Sequence, residues 1–246
     1  EELVTNNNVD GLVFTGSKTV GMDIYQRFSK HYPKPCIIEM GGKNPAIVTQ
    51  NGNLDIAAEG IMRSAFGFGG QKCSACSRAY IEQSVFHEFL DLLIHKTKSL
   101  IIGNPTDQDT FLGPLINASA YNDFQSYIES AHKDGTVLTG GKLYSHSNLD
   151  NGFFVEPTII TDLDENHPLV KSELFCPILY IRPVKNLEEA LTFANDTEYG
   201  LTAGFFSEDQ EEINLFFNTI RAGVTYVNRR SGATTGAWPG VQPFCG

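Results

Sequence analysis

The run Gly-Phe-Gly-Gly-Gln-Lys-Cys-Ser-Ala-Cys-Ser-Arg at 67–78 sets a thiol, Cys73, directly behind a glycine-rich turn. A thiol in such a place can act as a nucleophile, provided a base takes its proton or the proton of a water that attacks later. Glu39 stands 34 positions earlier, after apolar Cys36-Ile37-Ile38 and before Met40-Gly41-Gly42. A carboxylate at a strand end, beside paired glycines that let backbone approach a ligand, is a candidate base. On residue type alone Cys76 is an equal candidate for nucleophile, and either cysteine can equally be a small buried hydrophobe. Lys72 can favour a thiolate electrostatically, and the backbone N–H of the attacking cysteine can face an oxyanion. The two cysteines also form a C-x-x-C, but no second C-x-x-C or paired histidine follows at metal-site spacing, so no metal is expected.

A second chemical signal is Phe14-Thr15-Gly16-Ser17, with Gly21 four residues on. It lies between a strand-like and a helix-like segment, where N–H groups of a helix start and a capping hydroxyl can hold an anion. Glycine and serine serve turn geometry at such junctions just as well, and the segment is not a G-x-G-x-x-G fingerprint.

The elements that must position these groups alternate strand and helix. Strands are expected at 11–16, 35–40, 45–49, 78–82, 136–139, 153–160, 178–184, 204–206 and 223–228. Helices are expected from Ser17 to about 29, then at 54–68, 85–100, 117–132, 187–195 and 208–221. The helix at 54–68 carries a narrow face of small residues, suited to close packing on a sheet. This alternation predicts an α/β fold with a mostly parallel sheet. No internal repeat or low-complexity linker is visible.

The 246 residues suffice for one large or two modest domains, and 41% hydrophobic with 19% charged residues suit a globular core. A net charge of -11 speaks against binding to nucleic-acid phosphates. No apolar run approaches the roughly 20 residues of a membrane-spanning helix, and no secretory signal opens the chain. Five cysteines, an odd and uneven set, fit a reducing compartment such as the cytoplasm, or the mitochondrial matrix in a eukaryote. The first residue is Glu1 rather than Met, which suggests a partial chain.

Taken in order, the motifs around Glu39 and Cys73 resemble the catalytic glutamate and cysteine motifs of the aldehyde dehydrogenase superfamily. Lys-Ser-Glu-Leu-Phe-Cys-Pro at 171–177 resembles the family's E-x-F-G-P motif, and Pro-Phe-Cys-Gly at 243–246 stands where the family has P-F-G-G. Cys176 replaces a usual glycine, which raises the question of a positive φ there. The resemblance implies an aldehyde dehydrogenase-like α/β fold, with residues 1–41 the last part of a Rossmann-like nucleotide-binding domain and 42–246 the catalytic domain. It implies Cys73 as nucleophile and Glu39 as the base for thioester hydrolysis. It places Thr15, Gly16, Ser17, Gly21, Met40 and Gly41 near the cofactor, Glu173 on the nicotinamide ribose and Phe175 beside the nicotinamide. NAD is the implied cofactor, with NADP left open. Gly-Gly-Lys-Asn at 41–44, Gly-Gln-Lys-Cys-Ser-Ala-Cys at 70–76 and the Thr-Gly-Ala loop at 235–237 look like the subfamily that oxidises glutamate semialdehyde, the Δ1-pyrroline-5-carboxylate dehydrogenases. That implies Ser74 and the N–H groups of Gly236 and Ala237 on a substrate carboxylate, with Phe244 lining the aldehyde tunnel. Family enzymes are about twice this length, so the chain is expected to be a piece of a homo-oligomeric enzyme. The piece is expected to lack the asparagine of the oxyanion hole and to be nearly inactive as a dehydrogenase. A cofactor-independent cysteine esterase or acyltransferase, and a non-catalytic fragment, are the alternative readings.

Overall fold

The computed structural model describes residues 2–144, 149 and 152–235. In chain order the elements are α1 (Glu2–Thr5), β1 (Leu12–Thr15), α2 (Lys18–Phe28), β2 (Cys36–Glu39), β3 (Asn44–Val48), α3 (Leu54–Phe66), β4 (Cys76–Glu82), α4 (Phe86–Lys98) and α5 (Ala118–Asp134). They continue with β5 (Thr136–Thr139), β6 (Thr158–Thr161), α6 (Pro168–Lys171), β7 (Ile178–Val184), α7 (Leu187–Asn195), β8 (Thr202–Phe206), α8 (Gln210–Thr219) and β9 (Val224–Val227).

Two sheets result. β1 and β2 pair in parallel, with Thr15 beside Glu39 in the register. The other seven strands form one sheet in the order β5-β6-β7-β4-β3-β8-β9, parallel at every pair except antiparallel β5 and β6. β3 lies inside this sheet, and all five of its residues are buried, as a strand covered on both faces requires. The two faces are packed by separate apolar clusters. One gathers Ile47, Tyr80, Phe124, Ile128, Phe205 and Phe216; the other gathers Val48, Ile61, Phe66, Phe89, Leu179 and Phe206. Among the described residues, no helix is long and apolar enough to cross a membrane.

Local chemistry accounts for the element ends nearest the site. Ser17 caps α2, its Oγ accepting from the Val20 N–H at 3.4 Å. The small-residue face of α3 does approach its neighbours closely: a Cβ on Gly60 would lie 2.6 Å from the Arg229 carbonyl oxygen and 2.9 Å from the Phe206 ring. α3 ends in a 3-10 turn over Gly67–Gly70, in which Phe68, Gly69 and Gly70 all take positive φ, and the chain then enters the Cys73 loop. The strand expected at 153–160 is reduced to Thr158–Thr161. Pro157 has no N–H to give a ladder, and Val155 makes only an isolated bridge to Leu143. The short helices α1 and α6 lie in segments where no helix was expected.

Candidate active site

The site is built where the carboxyl ends of β1 and β2 face the amino ends of β3 and β4. Ligands of open α/β sheets collect outside such carboxyl ends. Glu39 ends β2, and Met40, Gly41, Gly42 and Lys43 carry the chain across to Asn44, the first residue of β3. Asn44 aligns with Cys76, the first residue of β4, so the Cys73 loop lies directly beside this crossing.

Gly42 is required by that closeness. A Cβ on it would collide with the carbonyl oxygen of Cys73. Gly41 has φ +83°, the left-handed region, and a Cβ there would strike the Glu173 carboxylate. Glu173 therefore reaches in from the segment after α6, and its Oε1 accepts the Gly42 N–H at 3.0 Å. The crossing thus meets both Cys73 and Glu173, with Glu39 at its start.

The electrostatics agree with this proximity. Burial pushes the Cys73 thiol up, and the negative charges of Glu173 and Glu39 push the same way; the Ser74 and Cys73 N–H groups oppose them. Burial also raises the Glu173 carboxyl above its ordinary range, against the pull of the Gly42 N–H and Lys43. Burial lowers Lys72, and the Cys73 charge acts in the other direction, so lysine and thiolate attract. Cys76 differs from Cys73. It is 1% exposed, contacts the Arg78 carbonyl through sulfur at 3.5 Å, and burial pushes its thiol up to about 12. A nucleophile needs access and thiolate character, and Cys73, only partly buried, is the better placed of the two.

Other expected residues fall into distinct groups. Thr15 and Ser17 are exposed at the end of β1 and the start of α2. The glycines beside them are explained by protein packing. The Gly16 N–H donates to Glu39 O at 3.0 Å, and the space of its missing side chain is taken by the Phe14 ring. Gly21 is buried, and a Cβ there would lie 2.5 Å from Met40 Cγ and 2.7 Å from Ile38 Cγ2. At both positions packing against Phe14, or against Met40 and Ile38, is enough to require glycine. Phe175 is 45% exposed and takes φ 54°. Cys176, where the family usually has glycine, is not among the positive-φ residues and is buried at 6% exposure; the positive φ falls at Phe175. Ser74 is buried beside Cys73. Gly236, Ala237 and Phe244 lie outside the described residues.

Several polar residues at the site were not singled out from the sequence. Arg78 is fully buried, and its guanidinium donates to the Lys43 carbonyl (3.0 and 2.7 Å) and to the carbonyls of Phe193 and Ala194 (both 3.0 Å). It ties the last turn of α7 to the crossing, where a cation suits the negative end of a helix. Lys43, 1% exposed, donates from Nζ to Leu169 O at 2.8 Å; burial and Arg78 lower it to about 7. The signal available in the sequence was the polar run Lys43-Asn44 opening an otherwise apolar strand.

The whole chain, residues 1–246, matches the aldehyde dehydrogenase family. A 1-pyrroline-5-carboxylate dehydrogenase of Geobacillus sp. (strain WCH70) is 41% identical over 249 residues, which cover 99% of this chain and 47% of the relative. The enzyme of that name from Bacillus subtilis (strain 168) is 41% identical over 238 residues, 95% of this chain and 45% of the relative. Among solved structures, a Thermus 1-pyrroline-5-carboxylate dehydrogenase with bound NAD superposes with a TM-score of 0.90 at 36% identity, covering 99% of this chain and 46% of that one. A Staphylococcus aureus betaine aldehyde dehydrogenase in complex with NAD+ gives 0.89 at 31% identity, covering 92% and 46%. The chain spans about half the length of the curated relatives it matches. Its matched length, its superposition and its crossing of Glu39, Gly41, Gly42 and Cys73 lead to one assignment: the chain belongs to the aldehyde dehydrogenase family.

Proposed function

We propose that this chain is the catalytic portion of an NAD-dependent aldehyde dehydrogenase acting on a semialdehyde that bears a carboxylate, glutamate semialdehyde first. The observation that carries the reading is the convergence of Cys73, Glu39 and Glu173 on the Gly41–Gly42 crossing.

The residues suit a dinucleotide. Glu173 has one oxygen held by the Gly42 N–H, which leaves the other for ribose hydroxyls. Phe175 offers an exposed aromatic face on a strained backbone, a conformation kept where function needs it. Met40 and Gly41 line the approach, and Thr15 and Ser17 lie at the amino end of α2, where a diphosphate is favoured. When bound, NAD supplies the hydride acceptor. The chain's own residues do the rest. Cys73, as thiolate, forms a C–S bond to the aldehyde carbon while its backbone N–H faces the new oxyanion. After oxidation the carbon is held as a thioester on Cys73. Glu39 takes a proton from water as the water adds to the thioester carbon. The C–S bond then breaks, the acid leaves and the thiol is restored. Ser74, with Gly236 and Ala237, supplies neutral donors for the distal carboxylate, and Phe244 lines the tunnel. The chain is read as residues 1–41 of a nucleotide domain and 42–246 of a catalytic domain, within a homo-oligomeric protein of a reducing compartment.

The test is growth of the reduced-nicotinamide absorbance band, measured in the protein that carries this chain. The reading expects kcat/KM for glutamate semialdehyde to exceed that for an unbranched aliphatic aldehyde of similar length, since a site built to bond a carboxylate rejects analogues lacking it. Equal values would remove the substrate assignment and leave a general aldehyde dehydrogenase. Ester cleavage without any nicotinamide reduction would favour a cofactor-independent thiol hydrolase.

A further inference from the structure

Three successive carbonyls of the Cys73 loop are each held by a buried side chain from elsewhere. Asn44 Nδ2 donates to Cys73 O at 2.7 Å and to Ala75 O at 2.9 Å, and between them Ser74 O accepts from Thr234 Oγ1 at 2.7 Å. Asn44 is 2% exposed and Thr234 fully buried. The Thr202 N–H donates to Asn44 Oδ1 at 3.1 Å, which fixes the amide so that its nitrogen faces the loop.

The hydroxyl directions follow by elimination. Ser74 O can only accept, so the single hydroxyl hydrogen of Thr234 goes there. The 2.9 Å contact between Ser64 Oγ and Thr234 Oγ1 must then be donated by Ser64. The Ser64 oxygen in turn accepts the N–H groups of Cys76 and Thr234, both at 3.2 Å. The network is buried and fully paired, and none of these bonds involves the Cys73 sulfur. What it holds is peptide orientation. A trans peptide is planar, so fixing Cys73 O fixes the opposed Ser74 N–H. Ala75 N–H closes the turn onto Lys72 O at 3.1 Å. That Ser74 N–H draws the Cys73 thiol pKa down against burial.

We propose that Asn44 and Thr234 are positioning residues for the Cys73 thiol: by pinning three successive loop carbonyls, they fix the peptide planes that carry the sulfur and the adjoining Ser74 N–H. The catalytic consequence rests on Cys73 being the nucleophile; the positioning itself does not. Thr234→Val keeps shape and removes the hydroxyl, and Asn44→Ser removes the two amide bonds. The readout is the pH profile of Cys73 alkylation by iodoacetamide, mapped by fragmenting the peptide that holds Cys73 and Cys76, with thermal melting alongside. Both variants should move the Cys73 midpoint upward, and a shift of one unit lowers the rate at pH 7 about tenfold. Thr234→Ser should restore the wild-type profile. A variant that melts lower yet alkylates along the wild-type profile, or with a lowered midpoint, would overturn the proposal. Aldehyde oxidation by Cys73→Ala is measured separately; retained activity there removes the nucleophile assignment and leaves the alkylation result to stand or fall alone.

Discussion

Gly42→Ala isolates the close approach on which the site depends. Gly42 is not among the residues with positive φ, so alanine adopts its backbone without strain and the effect is steric. The added Cβ would collide with the Cys73 carbonyl and lie 2.8 Å from Asn44 Nδ2, inside the 3.0 Å that real Cβ atoms respect. The first obstacle is backbone and the second is the amide that holds that backbone, so neither can swing aside freely. Overpacking of this sort costs about 1–3 kcal/mol. At about 2–4 °C per kcal/mol for a chain of this size, the Tm should fall by roughly 2–12 °C. The strain is relieved by moving the Cys73 peptide, and a displacement near 1 Å at a reacting group lowers rates by up to about 10²-fold. Melting by circular dichroism and alkylation of Cys73 measure both effects on one sample. An unchanged Tm together with wild-type alkylation would refute the argument, because it would mean that Gly42 and Cys73 are not in contact in solution.

Iodoacetamide should label Cys73 faster than Cys76, whose thiol is buried and pushed up to about 12; peptide fragmentation decides between them. Glu173→Gln should lower the pH midpoint of Cys73 alkylation, because it removes a negative charge that disfavours the thiolate. The same substitution should raise the Tm more at pH 8 than at pH 4. The Glu173 carboxyl titrates above its ordinary range, so its contribution to stability is present below that range and is lost as pH rises through the raised value. Arg78→Ala should destabilise by at least about 3 kcal/mol in denaturant titration, since the carbonyls of Lys43, Phe193 and Ala194 lose a buried donor at about 1 kcal/mol or more each.

The fold was readable where the pattern was local. α7 occupies the span expected of it, Leu187–Asn195, and Ser17 caps α2 as a serine between strand and helix should. The strand expected at 153–160 begins only at Thr158, because Pro157 has no N–H for a ladder and Val155 makes an isolated bridge. At the site, the Glu39 and Cys73 segments were visible as motifs, with glycines that the structure explains by contact. What stayed hidden acts at a distance. Asn44 serves carbonyls 29 and 31 positions away, and Thr234 meets Ser74 across 160. Arg78 looked like an ordinary strand residue, yet besides the Tyr80 hydroxyl its partners are backbone carbonyls of Lys43 and α7. Such pairings exist only once the crossing brings β3 and β4 side by side. Gly16 and Gly21 show the converse: a motif glycine whose vacancy is filled by the protein itself.

If Cys73 carries the oxidised substrate and Glu39 releases it, removing the Glu39 carboxylate stalls the cycle at the thioester. The decisive experiment is Glu39→Gln in the protein that carries this chain, mixed with glutamate semialdehyde and NAD, quenched in acid and mapped by peptide mass. The expected outcome is a burst of reduced nicotinamide, turnover slowed by roughly 10²–10⁴-fold, and an acyl group on Cys73. A burst with the acyl group on Cys76 or on no cysteine, or full turnover in the variant, would contradict it.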